Sequence, residues 1–278
     1  MNTLRCPVCK SDLVETAMTF HCEHKHVFDK SRQGYVNLLL PHMRSSKEPG
    51  DNKAMVHSRA AFLQQGFYAK IAALLNETVA QKIAPKTAAV IADIGCGTGY
   101  YFEQLRNHLT TLSIPSTYYG VDISKEAILL AAKKIKHIQW LVSSIAELPF
   151  HDDSLTAITS VFSPLHFAEF QRTLRNDGYL YIIIPSPQHL YELRTILFDT
   201  VKDIVDERLL TNSNEHFQLA EKIPLQYTIQ LTSSADIQSL FSMTPYYWRC
   251  TAEKKQLIAA LDNITLTIDV TLWVFKKN

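Results

Sequence analysis

Residues 88–99 read Ala-Ala-Val-Ile-Ala-Asp-Ile-Gly-Cys-Gly-Thr-Gly. The first seven make a short apolar run, as a parallel strand buried on both faces requires. Gly95-Cys96-Gly97-Thr98-Gly99 then turns directly into a helix predicted over residues 100–109. Glycine suits such a turn because positive φ is cheap for it and because a missing Cβ lets a ligand lie against the backbone. The chain has 8 glycines, and three of them occupy these five positions. That concentration marks the turn as a built feature. Its Gly-x-Gly-x-Gly spacing is tighter than the Gly-x-Gly-x-x-Gly fingerprint of dinucleotide-binding folds.

Working outward, the next strand (residues 117–122) ends in Asp122, 23 residues past Gly99. An acid at this distance can accept ribose hydroxyls. Ser124 is a candidate N-cap for a helix over residues 125–134. A third strand, residues 138–142, leads to Ser143-Ser144. A fourth, residues 155–162, runs into Ser163-Pro164, and a fifth, residues 179–184, into Pro185-Ser186-Pro187-Gln188-His189. Residues 226–231 and 264–275 read as a closing hairpin. Strands alternating with helices predict an α/β, doubly wound, Rossmann-like sheet with its ligand at the carboxyl ends of the strands. The tight glycine spacing preceded by Asp93 is the form found in class I S-adenosylmethionine-dependent methyltransferases. Asp93, Gly95, Gly97, Thr98, Gly99 and Asp122 are therefore candidate cofactor contacts. Ser144 joins them where such enzymes usually place a carboxylate for the adenine amino group.

The N-terminus carries a second pattern. Cys6-Pro7-Val8-Cys9 is followed, after twelve residues, by Cys22-Glu23-His24-Lys25-His26. A Cys-x-x-Cys turn aims two thiolates at one point, and a second pair across a short hairpin completes a tetrahedron for Zn2+. Cys6, Cys9, Cys22 and His26 are the expected ligands, with His24 as the rival for the fourth place. Four protein ligands make the metal structural, and in so small a piece it supplies much of the folding energy. After a strand-like run ending at Pro41 comes a polar loop over residues 42–52, whose Asp51 is a candidate cap for the following helix. Gly66-Phe67-Tyr68 separates that helix from a second one carrying Ile71, Leu74, Leu75 and Val79. The expected organisation is a zinc module at 1–36, a linker with lid helices at 37–84, and the catalytic domain at 85–278.

Composition sets the bounds. Among 278 residues, 46% are hydrophobic and 20% charged, enough to bury a sizeable core. The net charge of +1 advertises no nucleic-acid partner, although residues 1–60 hold nine Lys/Arg against six Asp/Glu. No apolar run approaches the ~18 residues of a membrane span, and the N-terminus lacks a secretory h-region. A cytoplasmic location is expected. Five cysteines, an odd number, argue against a disulfide framework.

Taken together, the sequence resembles the bacterial 23S ribosomal RNA guanine-N1 methyltransferases along nearly its whole length. The resemblance is carried by the Cys6/Cys9/Cys22/His26 knuckle, Gly34-Tyr35-Val36-Asn37-Leu38-Leu39, Pro49-Gly50-Asp51, Asp93-Ile94-Gly95-Cys96-Gly97, Leu148-Pro149-Phe150, His189-Leu190 and Met243-Thr244-Pro245-Tyr246. It implies methyl transfer to N1 of a guanine in a 23S rRNA hairpin, RNA recognition by the zinc module, and homodimers. It also implies cofactor contacts at Tyr68, Gly97, Thr98 and His189. The chain departs from the family at Leu174-Arg175-Asn176-Asp177-Gly178, where relatives carry a Pro-Gly-Gly turn, and in residues 163–170. Guanine N1 carries a proton that a base must receive within hydrogen-bond reach. His166 and His189 are open candidates, and Tyr246, Tyr247 and Trp248 are candidate stacking rings. The alternative reading is a methyltransferase for quinone- or sterol-like small molecules, which share this core.

Overall fold

The computed structural model describes residues 2–43, 50–83, 88–201 and 216–278. Residues 44–49 of the expected polar loop, including Pro49, lie outside the described residues. The central strands are β5 (Ala89–Ile94), β6 (Ser116–Asp122), β7 (Gln139–Val142), β8 (Leu155–Val161) and β9 (Leu174–Pro185). They lie parallel in the order β7-β6-β5-β8-β9, with β5 in the middle. The glycine turn thus opens at the centre of the sheet, where strand order reverses, the position at which doubly wound folds bind ligands. Ile91 packs into the core on one face and Ala92 and Ile94 into the core on the other. Burial on both faces accounts for the unbroken apolar run.

Helices α3 (Tyr100–Thr111) and α4 (Lys125–Lys134) follow β5 and β6 as expected, and Ser124 caps α4 by accepting from the Ala127 amide at 3.4 Å. The closing hairpin is longer than its sequence suggests. Strand β10 is Phe217–Leu231 and β11 is Ile264–Lys277, antiparallel to each other and, for β11, to β9. The first part of β10 is half-buried or exposed and rich in polar residues such as Gln218, Glu221 and Lys222, so its strand character comes from pairing with β11. Strand β9 likewise begins early, because Leu174 pairs with Leu155 before a register shift. Residues 175–178 therefore belong to a strand, with Asp177 at φ 64°.

The N-terminal module is a small antiparallel sheet of β1 (Val14–Glu15), β2 (Thr19–His21) and β3 (Val27–Asp29). Strand β4 (Val36–Asn37) straddles the expected division between residues 36 and 37 and pairs parallel to β7 at the edge of the large sheet. The module has little core of its own. Leu4, Leu13 and Phe20 instead share one with Leu148, Phe150 and Phe170. Leu4 bridges to Phe150, the Arg5 amide donates to the Pro149 carbonyl at 3.1 Å, and the His151 amide donates to the Thr3 carbonyl at 3.0 Å. Arg172 stiffens this platform. Its guanidinium donates to the carbonyls of Leu148 (3.0 Å) and Phe150 (2.8 Å) and to the carboxylates of Glu169 and Asp152 (both 2.7 Å).

Two helices cover the carboxyl ends of the strands from the N-terminal side, α1 (Lys53–Gln64) and α2 (Ala69–Lys82), separated at Gly66-Phe67-Tyr68 as expected. The cap of α1 is Asn52, whose side chain accepts from the Met55 amide at 3.0 Å, and not Asp51. Asp51 instead forms an ion pair with Arg59, and its carbonyl accepts from Ser124 Oγ at 3.2 Å. The cover is completed by α6 (Tyr191–Leu197), α7 (Ser234–Met243), a 3-10 turn at Pro245–Trp248 and α8 (Ala252–Ala259); α5 (Phe167–Thr173) packs on β9. No helix among the described residues is long and apolar enough to cross a membrane.

Candidate active site and metal centre

The ligand atoms of Cys6, Cys9, Cys22 and His26 all lie within 4.8 Å of one another. Cys9 Sγ is 3.6 Å from Cys22 Sγ, and His26 Nδ1 is 3.6 Å from Cys6 Sγ and 3.2 Å from Cys22 Sγ. A tetrahedron with metal–sulfur bonds of ~2.3 Å and a metal–nitrogen bond of ~2.0 Å has edges of roughly 3.5–3.8 Å. The donor set and its spacing therefore fit Zn2+. Of the two rival histidines only His26 joins the cluster. His24 is exposed and faces Glu23 at 3.8 Å. The backbone explains why: Lys25 adopts φ 64° and its amide bonds to the Cys22 carbonyl, which turns residue 26 back toward the thiols.

At the carboxyl end of β5 a cleft opens. Tyr68, Asp93, Gly95, Gly97, Thr98 and His189 all line it. Gly99, Asp122 and Ser144 do not. Asp122 lies behind the turn, its carboxylate accepting the amides of Gly97 and Ser124, both at 2.8 Å. Burial raises its pKa, and these two amides pull it back. Ser144 stands just past β7, with Oγ accepting the Ala146 amide at 3.2 Å.

The three glycines of the turn have different reasons. All have positive φ. A Cβ on Gly95 would come within 2.3 Å of the Ser163 side chain, and one on Gly99 within 2.5 Å of the Trp140 ring. A Cβ on Gly97 would meet nothing within 4 Å. Gly95 and Gly99 are thus required by packing, and Gly97 leaves open space over the cleft floor.

Two titratable groups on the wall are shifted by burial. Asp93 is 3% exposed, accepts from Thr159 Oγ1 at 2.7 Å, and has its pKa raised to about 7. His189 is 6% exposed and its pKa is lowered to about 4. Its Nδ1 accepts from the Asp269 amide at 3.3 Å, which assigns the ring proton to Nε2. Neutral and already protonated at Nε2, His189 is a donor and poorly suited to the role of general base. His166, in contrast, does not line the cleft; it caps α5 by accepting the Glu169 amide at 3.4 Å.

The cleft also has walls that sequence reading missed. Strand β8 ends at Val161, and Phe162 adopts φ 52°, so its ring enters the cleft beside Tyr68 (6.0 Å), Tyr101 (6.4 Å) and His189 (5.7 Å). Ser163, expected in the crevice, is turned under Gly95, where its Oγ donates to the Ile94 carbonyl at 2.9 Å. Arg59 lines the cleft from α1 and donates to the Met243 carbonyl at 3.2 Å. Tyr101 lines it from α3, with a buried hydroxyl that has no hydrogen-bond partner among the described residues. Nothing in local sequence announces these residues, because the lid that gathers them comes from remote segments. Tyr246 lines the cleft, whereas Trp248 stands outside it, 58% exposed.

Comparison with known proteins adds to this geometry. Residues 4–47 match a family profile described as RlmA, N-terminal, and residues 91–178 match a methyltransferase domain profile. YxjB of Bacillus subtilis (strain 168), provisionally named a 23S rRNA (guanine-N(1)-)-methyltransferase, is 30% identical over 98% of this chain and 96% of its own. The 23S rRNA (guanine(748)-N(1))-methyltransferase of Streptomyces fradiae is 31% identical over 98% of this chain and 95% of its own. Among solved structures, YcgJ of Bacillus subtilis superposes with a TM-score of 0.50, covering 73% of this chain and 97% of that one at 18% identity. This last likeness speaks for the fold alone.

The glycine geometry makes a prediction that is independent of any ligand. Gly97→Ala incurs only the positive-φ penalty, about 1 kcal/mol. Gly99→Ala adds overpacking against Trp140 and is expected to lose about 2–4 kcal/mol in total. Urea unfolding of the two variants checks the order, and equal losses would contradict the packing account.

Proposed function

Because the chain belongs to the family of 23S rRNA (guanine-N1)-methyltransferases, we propose that it transfers a methyl group from S-adenosylmethionine to N1 of a guanine in a hairpin of 23S rRNA. The observation that carries this reading is full-length similarity, spanning both the zinc module and the glycine turn, to proteins named for that reaction. We place the protein in the cytoplasm as a homodimer on the family resemblance. The three segments at 1–36, 37–84 and 85–278 are proposed to be the RNA-recognition module, the lid and the catalytic domain.

The residues present fit the cofactor. The open space over Gly97, the buried Tyr101 hydroxyl without a partner among the described residues, and His189 with Nε2 as its donor support this fit. We assign Tyr68, Asp93, Gly95, Gly97, Thr98 and His189 to holding it, with Asp122 and Ser144 extending the set at the ends of β6 and β7. Gly99 contributes by packing. When bound, the cofactor supplies an electrophilic sulfonium methyl, so the chain's own task is chiefly to hold N1 in line at attack distance. The aromatic wall of Tyr68, Phe162 and Tyr101 excludes water from the meeting point. The guanine must be unpaired or flipped, since N1 lies on the Watson–Crick edge. Cys6, Cys9, Cys22 and His26 are proposed to hold a structural Zn2+ that shapes the module for RNA.

Incubation with labelled cofactor and unmodified large-subunit rRNA is expected to yield 1-methylguanosine on nucleoside analysis. Label appearing in a small-molecule fraction, with none in RNA, would sink the reading in favour of a quinone-like acceptor. The purified protein should carry one zinc per chain, and Cys6→Ser should weaken rRNA methylation while leaving cofactor affinity largely intact. Equal loss of both would contradict the division of labour. Cofactor binding should also depend on pH. A net-positive cofactor draws the raised pKa of Asp93 down, so below pH 7 binding must expel a proton. Affinity is expected to rise roughly tenfold from pH 6 to pH 8 and to level off above pH 7. Calorimetry on the protein and on Asp93→Asn checks this; Asp93→Asn should bind more weakly and show a flat profile.

A further inference from the structure

The 3-10 turn at Pro245–Trp248 has two sides with different fates. Pro245 and Tyr246 line the cleft, while the following residues leave it and form its outer rim. Trp248 is 58% exposed there, unusual for so large an apolar ring. It is nevertheless held. Its Nε1 donates to Met55 Sδ on α1 at 3.1 Å, and its ring meets Tyr247 edge-on at 5.2 Å. Tyr247 is in turn anchored on Phe241 at 5.2 Å. Lys255, from α8, places its ammonium 4.0 Å from the Tyr247 ring centre and 5.9 Å from that of Trp248. Arg249 is exposed beside them, and Glu253 is the acid on the same stretch of α8. A fixed, solvent-facing indole with cations at its margin, continuous with the cleft, has the make-up of a single-stranded nucleic-acid platform. Every base has a π-face to stack, and each sugar carries a phosphate that the cations attract.

We propose that Trp248 and Tyr247 form a shelf on which a base neighbouring the methylated guanine stacks, with Lys255 and Arg249 facing its phosphate. This rests on the RNA reading above and names the part of the surface that holds the unpaired strand outside the cleft. The shelf keeps the flanking nucleotide splayed while its neighbour occupies the cleft, and it is tolerant of base identity because it reads no hydrogen-bonding edge.

The test compares the protein with Trp248→Ala and Trp248→Phe, measuring KM for an rRNA hairpin fragment, cofactor Kd and sedimentation behaviour. Trp248→Ala is expected to raise KM for RNA roughly 5- to 100-fold, the range of a lost base stack. Its cofactor Kd and oligomeric state should stay at the starting values, and Trp248→Phe should recover most of the loss. An unchanged KM in Trp248→Ala would overturn the shelf. So would a loss of RNA affinity that tracks dissociation of the protein into smaller species, since the indole would then cover a second copy of the chain. If the unaltered protein makes no 1-methylguanosine at all, the RNA reading itself fails, an outcome distinct from both.

Discussion

The turn from β5 into α3 passes through a gap that only hydrogen side chains can fill at its two ends. Ser163 closes on Gly95 and Trp140 closes on Gly99. Trp140 is in turn fixed by donating its Nε1 proton to the Ile135 carbonyl at 3.2 Å, and it also lies against Gly120. Much of the site follows from this fit. It sets where α3 begins, and it brings the Gly97 amide onto the Asp122 carboxylate. It also leaves the floor of the cleft bare backbone. The same tightness puts Ser163 beneath the turn, so that Phe162, one residue earlier, takes the left-handed conformation and turns its ring into the cleft.

The N-terminal module depends on the large domain for its core. Its few apolar side chains find partners in residues 148–150, and Arg172 holds that segment through two carbonyls and two carboxylates. Removing Arg172 would leave the half-buried Glu169 carboxylate and two backbone carbonyls without their partner, a destabilising change. The shared core and the backbone hydrogen bonds of Arg5 and His151 tie the module to the large domain.

Two titratable groups on the wall of the cleft are held away from their charged forms. Burial pushes Asp93 up to about 7 and His189 down to about 4, so neither carries its full charge at neutral pH in the free protein. For Asp93 this is a reserve: a positively charged ligand recovers the carboxylate. For His189 it is a commitment, since the Asp269 amide occupies Nδ1 and leaves Nε2 as a donor on the cleft wall.

The glycine turn, the succession of strands and helices around it, the Cys6/Cys9/Cys22 thiols and the cap at Ser124 were legible in the sequence. Each is a local demand: a period, a spacing or a backbone angle that few residues satisfy. The spacing favoured His26 but left His24 as a rival, because both lie within reach along the chain, and the turn at Lys25 decides between them. Asn52 displaced Asp51 as the α1 cap because Asp51 has a stronger partner in Arg59. The full extent of β10 was hidden by its polar alternation and was supplied by the neighbouring β11. Phe162, Tyr101 and Arg59 in the cleft, and Trp248 on its rim, were decided only in three dimensions. The sequence by itself determined where the glycine turn opens and which thiols gather. The tertiary structure decided what surrounds them, because the covering walls come from segments far apart in the chain, joined by packing that no local pattern encodes.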